Sequence, residues 1–204
     1  MAIPNSAINS ARPPVHQSNK ALSGPQWAQR FPGSKSTRDL SGTFRHAVED
    51  FIQAMTDAGI KVTVEATYRP IKRSYLMHWG WRIVNDRVDA DSVPAIDGLD
   101  IEWQHRMPAE SLHAAKGMVD AFAMRRLRTR PALRSQHNLG LAIDMSLTWR
   151  GTVSVKDANG KTVQINTTPR TGMNRQLIEI GATYGVKKYA GSGRDAPHWS
   201  NNGR

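Results

Sequence analysis

From Ser41 onward apolar positions recur with a helical period: Phe44, Val48, Phe51, Met55 and Ala58 are separated by four, three, four and three residues, and Gly59 follows as a stop signal. This spacing predicts an amphipathic helix. Residues 61–67 then alternate with a period of two, place Val62 and Val64 on one face, and predict a strand. Helical spacing returns after Pro70 at Leu76, Trp79 and Ile83 and ends near Asn85. Residues 86–108, punctuated by Pro94, Gly98 and Pro108, predict a loop. A third helix is expected from about Ala109, because Leu112, Ala115, Val119 and Phe122 share a face. Residues 139–147 alternate strictly and predict a second strand. Residues 152–156 and 162–166, either side of Asn159-Gly160, predict a hairpin. Leu177, Ile180 and Tyr184 predict a last helix, followed by an extended segment over 186–201. The order of these elements predicts an α+β fold, a small and mostly antiparallel sheet with helices packed on it, in a single domain.

The pattern is absent from residues 1–38, which hold Pro4, Pro13, Pro14, Pro25 and Pro32 and carry Arg12, Lys20, Arg30, Lys35 and Arg38 with no acidic residue. They are expected to form a basic, extended N-terminal arm, with the domain proper over 39–204. Trp27 and Phe31 are the exception, since two aromatics in a polar segment bury against something.

Composition narrows the chemistry. The 204 residues include no cysteine, which excludes disulfides, thiolate-bound zinc and a thiol nucleophile and leaves any metal to His, Asp or Glu. No stretch approaches the roughly 18 to 20 apolar residues of a membrane-spanning helix, and the N-terminus lacks the apolar core of a secretory signal. The chain is therefore expected to be made in the cytoplasm without a signal peptide and without membrane insertion, as a monomer by default. Lys and Arg number 28 against 17 Asp and Glu, a formal charge of +11. Such an excess attracts a polyanion, and nucleic acid, acidic membrane and bacterial cell wall all qualify. No zinc-finger, helix-turn-helix or RNP motif supports specific nucleic-acid binding. Five arginines lie within residues 125–134, as an anion contact or as a solvated helix end.

Candidate chemistry concentrates in Ser135-Gln136-His137-Asn138-Leu139-Gly140-Leu141-Ala142-Ile143-Asp144. In a strand over 139–145, Leu139, Leu141, Ile143 and Met145 would face the core, while Gly140, Ala142 and Asp144 share the other face. A carboxylate beside two residues of almost no bulk suits an open metal site with room for substrate. His137 lies seven residues before Asp144 and so belongs on a bend ahead of the strand, with Asn138 as a bend residue. The best third ligand is His198, in Asp195-Ala196-Pro197-His198-Trp199, which leaves Asp195 free as a base. Taken singly, His137 or His198 reads equally as a hydrogen-bonded structural histidine.

The pattern Ser-x-His-x-x-Gly-x-Ala-x-Asp, followed by Asp-x-x-His-Trp and preceded by Tyr68-Arg69-Pro70, resembles the zinc D-alanyl-D-alanine peptidases. That family includes vancomycin-resistance dipeptidases and carboxypeptidases and phage endolysins that cut L-alanyl-D-glutamate bonds. The resemblance spans residues 67–199 and leaves the arm without a counterpart. It implies one zinc ion per chain held by His137, Asp144 and His198, Asp195 as general base and acid, and Arg69 on a substrate carbonyl or carboxylate. Ser135 and Tyr68 would be substrate contacts, with a turn-capping hydroxyl as the other reading of Ser135. Many relatives carry Glu where this chain has Asp195; Asp occurs in the endolysin-like branch. The expected function is hydrolysis of a peptidoglycan stem-peptide amide involving a D-amino acid. Endopeptidase action, as a lysin or delivered effector, is preferred; a D,D-carboxypeptidase or dipeptidase, or a non-catalytic zinc-containing wall-binding module of the same fold, are the alternatives. His78 and His105, beside Trp79 and Trp103, are candidate groove residues, and His113 is expected on an exposed helix face.

Overall fold

Because successive side chains of a strand point to opposite faces, one sheet can bury a core on one side and display polar groups on the other. The computed structural model describes residues 20–191 and 195–204 and contains such a sheet. It is built from β2 (Lys61–Ala66), β4 (Ala142–Thr148), β7 (Lys187–Lys188) and β8 (His198–Ser200), in the order β2-β4-β8-β7, with every neighbouring pair antiparallel. Ile143, Met145 and Leu147 of β4 and Trp199 of β8 turn to one side. There they meet Phe44, Val48, Phe51 and Met55 from α2 (Gly42–Asp57) and Leu177 and Ile180 from α5 (Arg175–Thr183). The hairpin of β5 (Val153–Lys156) and β6 (Thr162–Ile165) adds Val153, Val155 and Ile165 to the same core.

A second core forms where α3 (Ile71–Asn85) packs on α4 (Pro108–Ala121). The spacing of Leu76, Trp79 and Ile83 predicts a one-sided α3, yet Ser74 to Trp81 are all buried. Gly80 explains part of the difference, since its missing side chain brings Met118 of α4 close: a Cβ there would stand 3.6 Å from the Met118 Cβ. The chain passes from the first core to the second through Tyr68-Arg69-Pro70 and returns through residues 135–140.

The expected arm divides. Residues 1–19 lie outside the described residues, whereas 20–38 lie against the domain instead of extending from it. β1 (Ala21–Leu22) pairs in parallel with β3 (Ile101–Glu102), a short strand inside the expected 86–108 loop. Trp27, which opens α1 (Trp27–Arg30), is 2% exposed and donates its indole N–H to the Leu22 carbonyl. The Arg73 guanidinium ties this segment down by donating to the carbonyls of Ala28 and Phe31 at 3.0 and 3.1 Å.

Candidate metal centre

Asp144 of β4 and His198 of β8 are directly opposed in the antiparallel ladder, so the pleat places their side chains next to each other on the face away from Trp199. This pairing supplies the convergence that local sequence cannot. His137 approaches from beside the sheet on a 3-10 turn, Gln136–Leu139. The turn ends at Gly140, whose φ of 67° is left-handed. A Cβ at Gly140 would also lie 2.7 Å from Ser41 Oγ and 2.9 Å from the Asp39 carbonyl oxygen. Gly140 is thus required by the close passage of residues 39–41, and not by substrate room as its strand parity suggests. For the same reason the strand starts at Ala142 rather than Leu139, and Leu139 is 59% exposed instead of facing the core. From Ile143 onward the expected parity holds.

Three atoms meet at the centre. His137 Nε2 is 3.2 Å from Asp144 Oδ1 and 3.2 Å from His198 Nδ1, and His198 Nδ1 is 3.1 Å from Asp144 Oδ1. The other nitrogen of each ring settles what these atoms carry. His137 Nδ1 is 2.6 Å from the Thr67 carbonyl oxygen and His198 Nε2 is 3.1 Å from the main-chain oxygen of Arg204. Both partners are acceptors only, so these ring nitrogens bear the hydrogens, and each imidazole turns its other nitrogen toward the Asp144 carboxylate. Three lone-pair atoms facing one another repel unless a proton or a metal cation lies between them. Ligands about 2.0 Å from a tetrahedral ion are about 3.3 Å apart, which matches the triangle, and two His with one carboxylate is a donor set zinc accepts. The residues therefore fit the metal, and the same three atoms are the group that could hold an ion among the described residues. Burial opposes ionisation of Asp144, but hydrogen bonds and positive charge from the His137 and His198 side, where a proton stands in the place a metal would take, outweigh it and hold the carboxyl well below the usual range. Burial likewise lowers the His198 pKa, and Asp144 reverses this to a net rise. Both shifts express the same demand for positive charge at the centre.

Arg69 is locked to this assembly through its main chain. Its N–H donates to the His137 carbonyl at 3.0 Å, and its carbonyl accepts from Asn138 Nδ2 at 2.8 Å. The same Asn138 amide donates to Ser74 Oγ, so the 3-10 turn, the Arg69 backbone and the first turn of α3 form one hydrogen-bonded unit. Burial lowers the Arg69 pKa, and the charges of Asp144 and Asp195 raise it in part. Asp195 sits exposed in the turn before β8, where the His198 N–H donates to its carbonyl. Lys188 supports that turn from below: its ammonium donates to the Ala196 carbonyl and lies 4.5 Å from the Trp199 ring centroid. Desolvation lowers its pKa to about 8, against opposing pull from Asp195 and Asp144.

These groups open onto a cavity of about 810 Å³ whose lining includes Arg69, Ser135, His137, Asp144, Asp195 and His198. Tyr68 is not among the lining residues; its side chain is exposed. Ser135 caps the turn through its main chain, donating N–H to Asn138 Oδ1 at 2.8 Å, while its hydroxyl is buried without a hydrogen-bond partner. His78 and His105 do not reach this cavity: the former bonds the Pro131 carbonyl and the latter Ser23 Oγ. His113 is exposed, as its helix face predicts. Sequence reasoning missed the Thr67 and Arg204 acceptors, Asn138 as a cross-link, and Lys188 and Tyr189 near the three candidate ligands. Of these only Asn138 left a signal, as the suspected bend residue.

No family model matches the chain, and no curated protein matches it. Among solved structures, a vancomycin-resistance D,D-pentapeptidase, VanY, in complex with Zn(II) is 18% identical, with a TM-score of 0.37 over 79% of this chain and 71% of that one. Overlap this loose leaves the functional reading to rest on the residues of the site.

Proposed function

We propose that the chain is a zinc-dependent peptidase of the bacterial cell wall, hydrolysing a stem-peptide amide that involves a D-amino acid, with one zinc per chain. The observation that carries this reading is the triangle of His137 Nε2, Asp144 Oδ1 and His198 Nδ1, each lone pair turned inward by an acceptor behind the ring or by charge. It is supported by the motif resemblance, which assigns the same three residues to zinc. When bound, zinc lowers the pKa of water to about 7 and polarises a carbonyl. Asp195 accepts the proton of the attacking water and returns it to the leaving amine. Arg69 binds the carbonyl oxygen as charge develops on it, a contribution of about 3 kcal/mol in comparable sites. Endopeptidase action is our preference; a cavity of about 810 Å³, near the upper end of the roughly 300–1,000 Å³ seen for ligand sites, is large enough for a peptide of several residues. Such an enzyme would act as a lysin or delivered effector and meet its substrate after release or transport.

The test is digestion of purified peptidoglycan and of soluble stem peptides, read by mass spectrometry, together with metal analysis. The expected result is close to one zinc per chain and new fragments from one amide. Asp195→Asn should keep the zinc and lose about 10²- to 10⁴-fold in rate. Full activity of metal-free protein, or retention of rate in Asp195→Asn, overturns the mechanism; zinc binding with wall binding but no cleavage identifies a non-catalytic module.

A further inference from the structure

Residues 125–134 form neither helix nor strand, yet their main chain is fixed from behind by two side chains of α3. Trp81 Nε1 donates to the Leu127 carbonyl at 3.2 Å, and His78 Nδ1, in a ring that is 5% exposed, bonds the Pro131 carbonyl at 2.7 Å. Met124, 1% exposed, anchors the start of the segment in the second core. A loop held in this way presents its side chains from a defined backbone. Its five arginines are not equivalent. Arg125 is paired with both carboxylate oxygens of Asp120. Arg130 and Arg134 line the cavity of the metal centre, whereas Arg126 and Arg128 do not. Among the described residues neither Arg130 nor Arg134 makes an ion pair or a hydrogen bond.

The cavity lining as a whole carries Arg69, Arg130, Arg134 and Arg204 against the carboxylates Asp144 and Asp195. Asp144 is turned to the two histidines, which leaves the guanidinium groups in excess. Guanidinium is always charged, is less strongly hydrated than ammonium, and offers a planar fork that matches a carboxylate. Hydrophobic neighbours in the same wall, Met77, Leu127 and Pro131, lower the local polarity and strengthen such a contact.

We infer that Arg130 and Arg134 form a carboxylate-recognising wall of the cavity, and that the peptide substrate presents a free carboxylate to them. The word substrate rests on the peptidase reading above; the recognition itself does not. The test compares two soluble probes, the tetrapeptide L-Ala-γ-D-Glu-L-Lys-D-Ala and the same peptide with its carboxylates converted to carboxamides. Binding is measured by calorimetry on the zinc-loaded, full-length Asp195→Asn protein, and hydrolysis on the parent. The acidic probe should bind about 10- to 100-fold more tightly than the carboxamide. Replacing Arg130→Gln and Arg134→Gln together should abolish that preference and leave carboxamide binding unchanged, which also reports an intact fold. Arg126→Gln with Arg128→Gln should retain the preference, separating a local wall from general positive charge. Equal affinity for both probes, or no measurable affinity for either, overturns the proposal, as does a preference that survives loss of Arg130 and Arg134. Selective binding of the acidic probe without cleavage of either leaves the wall standing and excludes the three amides of this peptide as the bond cut, while peptidoglycan digestion decides the peptidase reading.

Discussion

An imidazole has one free lone pair when neutral, and its direction is decided by whatever accepts the hydrogen on the opposite nitrogen. In this chain that decision is made by main-chain oxygens, of Thr67 for His137 and of Arg204 for His198. His137→Ala or His198→Ala is therefore expected to lose stoichiometric zinc, while His105→Ala and His113→Ala, outside the cavity, keep it; metal content after dialysis distinguishes the two groups. Lys188 permits a prediction of a different kind. Its folded pKa of about 8 lies below the 10.5 of the free side chain, so between these values the unfolded chain binds more protons and stability rises with pH. Below about pH 8 both states carry the charge and the destabilisation is constant. Lys188→Met should flatten the rise in urea midpoint between pH 8 and 10. The parent-minus-variant difference removes the contribution of Tyr75 and Tyr184, whose raised pKa values titrate in the same direction in both proteins. A slope unchanged by the substitution would show that Lys188 is not desolvated. The three residues of the candidate metal site were legible at this scale because residue type and spacing are informative for His and Asp. Lys188 was not, because one lysine in a Lys-Lys-Tyr run carries no sign of what lies under it.

Among the elements, α2 and the β5–β6 hairpin follow directly from periodicity: Phe44, Val48, Phe51 and Met55 are buried, and the Asn159-Gly160 turn joins the two short strands. The start of β4 does not, because Leu139, Gly140 and Leu141 continue the alternation by residue type while the chain is still completing a 3-10 turn. What decides the boundary is the contact of Gly140 with residues 39–41, almost one hundred residues away in sequence and invisible to a local pattern. The opposition of Asp144 and His198 is equally non-local, since it depends on β8 pairing with β4. Gly140→Ala should thus be far more damaging than Gly160→Ala. Both adopt left-handed φ, of 67° and 81°, which costs about 1–2 kcal/mol for a residue with a Cβ. Only Gly140 adds a backbone clash, and overpacking of this kind costs a further ~1–3 kcal/mol. Urea midpoints should show the larger loss at Gly140, accompanied by weaker zinc retention because the same turn carries His137. Equal destabilisation by the two substitutions would mean that the 39–41 contact gives way at no cost.

For the whole molecule the relevant quantity is the charge of +11, and its placement separates two roles. Arg69, Arg130, Arg134 and Arg204 line the cavity, where they meet whatever enters it. Lys20, Lys35 and Arg38 lie elsewhere on the surface, exposed and outside the cavity lining. A cell wall rich in carboxylates and phosphates presents a polyanion to the entire surface, whereas a short soluble peptide senses only the cavity. Screening acts over about 10 Å at 0.1 M salt, so long-range attraction to the wall fades with added salt faster than contacts inside a partly enclosed site. Replacing Lys20, Lys35 and Arg38 together by Gln should lower retention on purified cell walls and reduce its dependence on salt. Hydrolysis of a soluble stem peptide should remain close to that of the parent, because none of the three side chains lines the cavity. Co-sedimentation with walls at several salt concentrations, run beside a peptide assay, measures both quantities. A parallel loss on both substrates would place these cations in support of the fold, consistent with how closely residues 20–38 are packed, and would leave wall attraction to other parts of the chain.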